Sequence, residues 1–416
     1  MKTIEIKAKR GTNRIIQKVI DDVWKSGGGT VKIGAGIFVM YDSLHLRPKV
    51  NIIGEKGATI LKKAASVSSE LSADLGYGHY DVSVKKPHLF KVGMGVYISD
   101  DQGRGFYGTV ATIVWVDGDR IGINKMLNHD YARARNAIVS TIFPVISGYF
   151  VNGISIENIT IDGNGEKNLF IDGCRGGGVF LLQCHGLKLS NVAIRNYNGD
   201  GISFQQCTRL QINNCEMTDN YGSGLHPGSG SVGAVIKNCL ISKNKKDGVF
   251  FCLRVSYSLL ESCQINENGN DGISIGARDT DHIIRKNIIF NNSRYGIYFR
   301  KADRVMGGHR NLIDSNVIRE NCQESGLSEI FIEDINDDIW FKANKISGSK
   351  TEYGIIAGNL CKRIYIEENN IFTNFEGRAI RQDNTKLSYV RPPERIYSGP
   401  KFINKKKVRH LNIELS

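Results

Sequence analysis

A short glycine-containing pattern recurs along the middle of this chain at an almost constant interval. Asp200-Gly-Ile-Ser-Phe returns loosely as Ser223-Gly-Leu-His-Pro, Asp247-Gly-Val-Phe-Phe, Asp271-Gly-Ile-Ser-Ile and Tyr295-Gly-Ile-Tyr-Phe, in steps of 23, 24, 24 and 24 residues. Apolar residues alternate after each glycine, without helical spacing between the repeats. A period this short is typical of a chain wound into a right-handed parallel β-helix, in which each turn is one coil and equivalent residues stack in ladders.

A second series of positions supports the same winding. Its members each precede an apolar residue and are Asn191, Cys215, Cys239, Cys263, Asn287, Asn316, Asn344 and Asn370. An asparagine amide donates and accepts hydrogen bonds and tolerates left-handed backbone, so it suits a sharp interior bend. Cysteine is a small residue that buries well in its place. We therefore expect an all-β fold, a single-stranded right-handed parallel β-helix.

The composition fits one long solenoid with a buried core. The chain has 416 residues, of which 46 are glycine and 41% are hydrophobic. It has no apolar run of about 18 residues, so we expect no membrane span. Its nine cysteines are odd in number and form no Cys-x-x-Cys motif, which favours reduced packing residues over disulfides or a zinc site.

The net charge of +13 points to an acidic partner. The basic residues are scattered apart from Lys405-Lys406-Lys407, and no nucleic-acid-binding motif accompanies them, so nucleic acid is disfavoured. A polysaccharide or oligosaccharide, anionic or neutral, is the favoured partner. Met1–Lys7 contains no apolar signal core, which leaves open a cytosolic protein, a virion-associated protein, and an extracellular or periplasmic chain whose signal was removed. The oligomeric state is also left open.

Four segments can be distinguished along the chain. Residues 1–64 are expected to form an N-terminal capping helix and the first coils. Residues 65–147 break the rhythm with alternating strands and an Asp117-Gly118 turn, which predicts an inserted β subdomain. Residues 148–385 are expected to form the main β-helix, and residues 386–416 a C-terminal cap or tail.

The N-terminal segment carries a resemblance to a known family. A helix is predicted over Ile16–Val23, with Thr12 or Asn13 as its cap. It is followed by Gly27-Gly-Gly-Thr-Val, Gly36-Ile-Phe and Asn51-Ile-Ile-Gly-Glu-Lys-Gly-Ala-Thr-Ile. This succession resembles the pectate-lyase-like superfamily of parallel β-helix proteins. The resemblance implies the fold, in a superfamily that includes lyases, glycoside hydrolases, epimerases, phage tailspikes and adhesins.

Strand alternation divides the residues after each glycine into two faces. We expect the core to contain Ile202, Phe204, Leu225, Val249, Phe251, Ile273, Ile275, Ile297 and Phe299. We expect the opposite face to expose two ladders, Ser203, His226, Phe250, Ser274 and Tyr298 in one and Gln205, Gly228, Cys252, Gly276 and Arg300 in the next. Aromatic, polar and glycine positions mixed on one face indicate a sugar-binding groove.

The aspartates that precede the glycines are the candidate catalytic residues. Asp247 and Asp271 are expected one coil apart, about 4.8 Å, and Asp200 and Asp247 two coils apart. Retaining glycosidases separate their carboxylates by about 5–5.5 Å and inverting ones by about 6.5–9.5 Å, so both outcomes stay open. His226 is a candidate acid/base or ligand contact. The alternative is that the aspartates are turn residues that bond their own loops.

The candidate substrate-binding residues are Arg254, Arg278, Asp279, Tyr298, Arg300, Lys301, Gln205 and Phe250. Arg278 to His282 is alternatively an ion-pair cluster, and His309 is either a rim contact or a structural residue. Asn198-Gly-Asp-Gly-Ile, Asp271-Gly-Ile-Ser-Ile-Gly and Tyr298-Phe-Arg-Lys partly resemble motifs of polygalacturonase-type hydrolases. Asp271 stands where that family has histidine, and only Asp247 remains of its Asp-Asp pair. The resemblance implies a carbohydrate site at this strand entrance.

Three functions compete at this point. The leading hypothesis is a glycoside hydrolase that uses paired aspartates and no cofactor. The second is a polysaccharide lyase, in which an Arg, Lys or His removes the proton α to a uronic-acid carboxylate and a divalent cation such as calcium is a possible cofactor, with Asp279, Asp281 and Asp303 as possible ligands. The third is a non-catalytic glycan-binding rod of the phage-fibre or adhesin kind. Lyase products carry a double bond that absorbs ultraviolet light, whereas hydrolase products do not.

Overall fold

The computed structural model describes residues 2–7, 10–103, 105–375 and 379–382. The fold is an all-β, right-handed parallel solenoid of about 15 turns, so the predicted fold class is confirmed. The described residues contain one α-helix, Asn13–Lys25. The predicted C-terminal cap, 386–416, lies outside them. No helix in this part of the chain is long and apolar enough to cross a membrane.

The chain divides into two compact units. The first unit comprises Met1–Gln205, Asn214–His226 and Asn244–Lys246, and the second comprises Gln206–Asn213, Pro227–Lys243 and Asp247–Ser416. In both units each coil passes through three parallel sheets in a fixed order. We name them sheets A, B and C in the order in which the chain passes through them in each coil. The repeated glycines precede strands of sheet C.

In the first unit, the strands of sheet A are Lys2–Ile6, Gly29–Ile33, Val50–Ile53, Ser155–Glu157 and Lys188–Ser190. The strands of sheet B are Arg10–Thr12, Gly36–Met40, Thr59–Lys63, Thr160–Asp162, Ala193–Arg195 and Glu216–Thr218. The strands of sheet C are Leu44–His45, Ile146–Tyr149, Val179–Leu182 and Ile202–Gln205. The sheet C strand Leu225–Gly228 takes residues from both units.

In the second unit, the strands of sheet A are Gln211–Asn213, Val235–Lys237, Leu259–Glu261, Ile283–Arg285, Leu312–Asp314, Ile339–Lys342 and Ile364–Ile366. The strands of sheet B are Leu240–Ser242, Gln264–Asn266, Ile288–Phe290, Val317–Arg319, Lys345–Ser347 and Ile371–Thr373. The strands of sheet C are Val249–Phe250, Ile273–Ile275, Ile297–Phe299, Ser328–Ile332, Tyr353–Ala357 and Ile380–Gln382. Short 3-10 turns occur at Pro87–Leu89, Arg133–Arg135, Gly165–Lys167 and Arg304–Met306.

The repeated glycine is required by the close stacking of coils. In the second unit, a Cβ atom at Gly248 would lie 2.6 Å from the carbonyl oxygen of Gly272, and one at Gly272 would lie 2.6 Å from that of Gly296. In the first unit, Gly201 has the same relation to Gly224. The predicted core residues after these glycines are all 0% exposed, so the period and the inward face are both confirmed.

The polar ladder at the bend between sheets A and B is hydrogen-bonded from coil to coil. In the second unit Asn287 Oδ1 accepts the backbone N–H of Cys263 at 2.9 Å, and Asn316 Oδ1 accepts the backbone N–H and the Nδ2 group of Asn287, each at 2.9 Å. Asn344 repeats the arrangement for Asn316. The ladder therefore supplies partners to backbone groups that the bend leaves outside the sheets.

One member of the predicted ladder was misplaced. Ile194 pairs with Met217, so Asn191 aligns with Asn214 and not with Cys215. The left-handed backbone also falls on this preceding position, with φ of 53° at both Asn191 and Asn214. Ladder asparagines are thus selected for their hydrogen bonds, whereas the residue before them takes the left-handed conformation.

The segment after the first coils folds as a separate antiparallel sheet within the first unit. Its strands are Ser68–Glu70, Asp81–Ser83, Gly95–Ser99, Thr109–Asp117, Arg120–Ile123 and Ile138–Ser140. They enclose a hydrophobic cluster of their own, which includes Val96, Ile113 and Ile121. The predicted turn at Asp117-Gly118 is confirmed, because Asp117 pairs with Arg120 across it.

The α-helix Asn13–Lys25 buries Asn13, Ile16, Ile20 and Val23. Thr12 occupies its N-cap position, but neither of the two predicted caps acts through a side-chain hydrogen bond to the helix terminus. The helix ends where Gly27 and Gly28 take φ angles of 96° and 102°, which only glycine adopts without strain. The nine cysteines form no disulfide bonds with one another, and seven of them are buried.

Candidate functional site

The three candidate aspartates fasten one coil to the next. Asp200 Oδ1 accepts the backbone N–H of Ser223 at 2.6 Å in the first unit. In the second unit, Asp247 Oδ1 accepts that of Asp271 at 3.1 Å, and Asp271 Oδ1 that of Tyr295 at 3.3 Å. All three carboxyl groups are buried. Each aspartate therefore has a structural role, but its bond runs to the next coil and not, as the alternative considered from the sequence had it, to its own loop.

Asp247 and Asp271 differ in their electrostatic environments. Both oxygens of Asp271 are bound by Arg294, at 2.8 and 2.6 Å. Burial raises the pKa of Asp271, and Arg294 opposes that rise. Burial, and then the neighbouring charge of Asp271, raise the pKa of Asp247 to about 7. Asp247 is thus a carboxylic acid that holds its proton close to neutral pH, whereas Asp271 is locked in an ion pair.

In the first unit, Asp200 and His226 form a buried pair. Asp200 Oδ2 lies 2.6 Å from Nδ1 of His226. Gly173 covers the pair so closely that a Cβ atom there would overlap both Asp200 and His226. Ser203 Oγ donates to the carbonyl oxygen of Gly173 at 2.5 Å. The loop at Gly173 therefore lies on the outward face of sheet C.

The predicted exposure of the outward face of sheet C was wrong at several positions. Ser203 and Gln205 are 0% exposed and His226 is 5% exposed, although all three were expected to face solvent. The same applies in the second unit to Ser274, which is 1% exposed and bonded to Arg300. Chain outside the strands covers the sheet at these positions, and strand alternation carries no information about such coverage.

A tight turn next to Gly173 presents Arg175. The backbone carbonyl of Asp172 accepts the N–H groups of Arg175 and Gly176 at 2.9 Å each, and the Asp172 carboxylate accepts that of Cys174 at 2.8 Å. Arg175 donates through Nη2 to the carbonyl oxygen of Phe106, and its Cζ lies 5.2 Å from the centroid of that ring. Its Nε is buried and has no hydrogen-bond partner among the described residues.

Lys125 and Tyr149 complete this group, which we call the Lys125 cluster: Lys125, Tyr149 and Arg175. Lys125 follows a strand of the antiparallel sheet, and Tyr149 ends a strand of sheet C. The ammonium nitrogen of Lys125 lies 3.8 Å from the centroid of the Tyr149 ring, which packs against Phe180 with centroids 6.0 Å apart. Within the described residues, neither cation lies within 4.0 Å of a carboxylate, and nothing accepts a hydrogen bond from Lys125 or from the Tyr149 hydroxyl.

Burial shifts the pKa values of Lys125, Tyr149 and Arg175 away from their usual values. Burial lowers the pKa of Lys125 to about 8; Asp42 opposes this and the positive charge of Arg175 adds to it. Burial raises the pKa of Tyr149 to about 12, so its hydroxyl keeps its proton. Burial also lowers the pKa of Arg175. Above about pH 8 the cluster therefore offers a neutral amine, a phenol and a guanidinium.

In the second unit, the predicted substrate-binding residues Arg300 and Asp279 bind each other. Arg300 donates to Asp279 Oδ2 at 3.3 Å, to Ser274 Oγ at 2.9 Å and to the carbonyl of Phe251 at 2.6 Å, and it lies over the ring of Phe250 at 4.5 Å. Asp279 also accepts two backbone N–H groups. This arrangement is structural, and it gives each oxygen of Asp279 at least one hydrogen-bond donor.

Tyr298 is similarly engaged. Its hydroxyl donates to Glu333, and Arg294 lies over its ring at 4.5 Å. Phe331 packs parallel to the ring, with centroids 5.9 Å apart. Two neighbours therefore contact the aromatic ring of this candidate substrate-binding residue.

A shallow cavity of about 360 Å³ lies elsewhere in the second unit, lined by Ser256, Tyr257, Arg278, Thr280, Asp281, Val305, His309 and Arg310. Asp281 is bound there by Arg310 through both oxygens at 2.8 Å. His309 donates to the carbonyl of Arg304 and accepts the N–H of Asp337, so it is a structural clip. Arg278 is exposed at the rim; Arg254 and Lys301 are exposed outside the cavity lining.

Comparison with known proteins agrees with the winding. A family model described as "Right handed beta helix region" matches residues 177–323. The chain has the right-handed β-helix fold. No curated protein matches its sequence.

Solved structures share the fold of this β-helix protein at low identity. The A-module of the Azotobacter vinelandii mannuronan C-5 epimerase AlgE4 is 14% identical over 91% of this chain and 100% of that chain, with a TM-score of 0.55. PfbA, a surface adhesin of Streptococcus pneumoniae, is 14% identical over 92% of both chains, with a TM-score of 0.56. A polygalacturonase from Erwinia carotovora ssp. carotovora is 13% identical over 93% and 96%, with a TM-score of 0.53.

The β-helix protein also contains groups that the sequence reading missed. Lys125, Tyr149 and Arg175 come from three elements that are separate in sequence, and no repeat connects them. Lys63 was missed as well: it is 1% exposed, its Nζ donates to Asn198 Oδ1 at 2.8 Å, and burial lowers its pKa well below the usual value. The available signal was a lysine at an inward position of a strand, in Thr59–Lys63.

Proposed function

We propose that the protein is a polysaccharide lyase that acts on a uronic-acid glycan at the Lys125 cluster. The observation that carries the proposal is the convergence of two cations and a phenol, with no carboxylate within 4.0 Å of either cation among the described residues. Two cations, Lys125 and Arg175, are partly buried without a carboxylate partner. Cations in such a setting are costly unless an anion joins them, and a uronate carboxylate has the required charge.

The chemistry assigns one task to each side chain. The Arg175 guanidinium binds the carboxylate and withdraws charge from it. The neutral Lys125 amine takes the proton from the carbon α to the carboxylate, breaking that C–H bond. The electron pair forms a double bond to the β carbon as the bond from that carbon to the glycosidic oxygen breaks. The Tyr149 hydroxyl then donates its proton to the leaving oxygen.

The surrounding elements hold Arg175 in place for this reaction. The Asp200–His226 pair lies directly beneath Gly173, and Ser203 bonds the carbonyl of that glycine. These residues act on the loop and not on the substrate. In this proposal His226 is a positioning residue. The structural neighbours named above include a mannuronan epimerase and a polygalacturonase, which adds support for a uronate-containing substrate.

Substitution of Lys125 by methionine is expected to lower kcat/KM by about 100-fold or more, because methionine keeps the apolar stem but removes the base. The rate of the unsubstituted protein should rise with pH through about 8, where Lys125 loses its proton. Formation of ultraviolet-absorbing products from polygalacturonate, alginate and glucuronate-containing glycans measures both effects.

Lys245 provides a matched control. Its ammonium nitrogen lies 3.6 Å from the centroid of the Tyr221 ring, so it makes the same kind of contact in the same unit. Lys245→Met should leave kcat/KM within about twofold of the unsubstituted protein. Equal losses in the two variants, or no unsaturated product from any of these glycans, would remove the lyase proposal.

Hydrolysis at Asp247 is the second candidate, and the high pKa of that carboxyl group is the observation that favours it. A general acid must hold a proton at working pH, as Asp247 does. However, Asp271 is 0% exposed and held by Arg294 through both oxygens, so it is poorly placed as the second carboxylate.

The Asp247→Asn variant separates the two candidates. An asparagine oxygen can still accept from Asn270 and from the backbone of Asp271, so the fold should be kept. For a lyase acting at Lys125, we expect kcat/KM within about twofold of the unsubstituted protein. A fall in kcat/KM of about 100-fold in this variant would instead favour the hydrolase. The products of the unsubstituted protein should then be saturated and should have gained one water molecule for each bond cleaved.

A further inference from the structure

The antiparallel sheet of the first unit carries an exposed tryptophan in an unusual setting. Trp115 is 40% exposed, although the large indole is usually well buried. The pairing between Thr109–Asp117 and Arg120–Ile123 shifts register between Ile113 and Trp115. This irregularity places Trp115 opposite Gly122, and all residues from Val114 to Asp117 are exposed.

The indole lies flat against the backbone of Gly122. A Cβ atom at Gly122 would overlap Cε2 and Nε1 of Trp115, so a side chain at this position would displace the ring. Gly122 is itself buried beneath the ring. One face of the indole is therefore fixed on the sheet, and the ring is presented as a rigid plane.

Polar side chains border this plane. Arg120 Cζ lies 5.8 Å from the ring centroid, and Arg120 Nε donates to Asp81 Oδ2 at 2.9 Å. His79 Nδ1 lies 3.8 Å from Asp81 Oδ1. Arg120 and His79 are largely exposed. The surface thus combines one aromatic plane with a guanidinium, a carboxylate and an imidazole, which together donate and accept hydrogen bonds.

We infer that Trp115, Arg120 and Asp81 form a second glycan-binding site, which takes one pyranose ring of the polysaccharide. The C–H face of a pyranose packs on an aromatic plane, and its hydroxyl groups bond to the carboxylate and guanidinium beside it. A β-strand partner fits less well, because the edge strand Asp81–Ser83 is only three residues long. The class of ligand rests on the proposed function, but the site is separate from the Lys125 cluster.

The three tryptophans of the chain give the experiment a built-in reference. A ¹H–¹⁵N spectrum contains one indole signal each for Trp24, Trp115 and Trp340. During titration with hexasaccharides of galacturonate, alginate and cellulose, we expect the Trp115 signal to shift in a saturable manner with at least one of them. The signals of Trp24 and Trp340 should stay in place.

Trp24 is the matched control for substitution. It is 44% exposed and lies beneath Arg47 at 5.5 Å, so it shares the exposure and the arginine contact of Trp115. Trp115→Ala is expected to weaken polysaccharide binding about tenfold, the upper part of the range for one aromatic contact, and Trp115→Phe to restore part of it. Trp24→Ala should leave binding unchanged. Equal shifts of Trp24 and Trp115, or no shift of Trp115 with any hexasaccharide, would overturn the inference.

The outcome for this site can be told apart from that for the lyase. The Lys125→Met variant should still show the Trp115 shift while forming unsaturated product about 100-fold more slowly or less. Conversely, Trp115→Ala should keep kcat for short oligosaccharides and lose affinity for the polymer. A Trp115→Ala protein with lowered kcat and unchanged affinity would mean that the indole serves the structure of the sheet, and the binding site would be rejected.

Discussion

Replacing Asn316 with leucine is expected to lower the free energy of unfolding by about 3–5 kcal/mol. The Asn316 side chain is 0% exposed, and its oxygen accepts two hydrogen bonds from Asn287 at 2.9 Å. Its nitrogen donates to the carbonyl of Ile284 at 2.8 Å and to Asn344 at 3.0 Å. Leucine has a similar volume but makes none of these bonds, and each buried group left without a partner costs about 1–3 kcal/mol.

The chain itself supplies the conservative replacement. Cys239 and Cys263 occupy the same ladder in earlier coils of the second unit, and the thiol of Cys239 contacts the carbonyl of Lys237 at 3.2 Å. Asn316→Cys should therefore cost clearly less than Asn316→Leu. Denaturant unfolding measures the difference, and hydrogen exchange should be accelerated at the backbone amide of Asn287. A leucine variant within about 1 kcal/mol of the unsubstituted protein would show that the ladder is not needed for stability.

The sequence predicted this ladder because its period is the period of the coil. A second asparagine ladder of the same period went unrecognised, with Asn220 and Asn244 in the first unit and Asn268, Asn292 and Asn321 in the second. Its signal was the repeated spacing of 24 residues from Asn220 to Asn292. It was hidden because these asparagines lie in polar segments just before the glycine turn, where asparagine is common for other reasons.

The site was harder to predict than the fold. Alternation along a strand states which side chains face the core, and this was correct for Phe204. It does not state whether another segment covers the outward side, as the loop at Gly173 does. The Lys125 cluster is also beyond a periodic argument, since Lys125 belongs to the inserted sheet and meets Tyr149 only through tertiary packing. The repeats therefore predict which residues stack from coil to coil. They do not predict whether those residues face solvent or are covered by a loop or an inserted sheet.

Acidification is expected to remove about 5 kcal/mol of stability through His282 alone as the pH falls from 6.5 to 3. The imidazole is 1% exposed and stacks on Phe251 with centroids 4.3 Å apart. Its Nδ1 accepts the backbone N–H of Ser258 at 3.2 Å, and burial lowers its pKa to about 3. The unfolded chain binds a proton at this histidine below pH 6.5, but the folded chain does so only below about 3. Stability is therefore complete above 6.5 and lost progressively below it.

A matched variant is needed because buried carboxyl groups with raised pKa values change the stability in the opposite direction as the pH falls. Burial raises the pKa of both Asp247 and Asp279 to about 7, so these groups favour the folded state as the pH falls below 7. His282→Asn isolates the histidine, because Asn311 on the next coil already accepts a backbone N–H in the same manner, from His282 at 2.8 Å. Between pH 6.5 and 4 the unsubstituted protein should lose about 3 kcal/mol more than this variant in denaturant unfolding. Equal losses would mean that the ring is protonated in the folded state, and that burial does not hold His282 neutral.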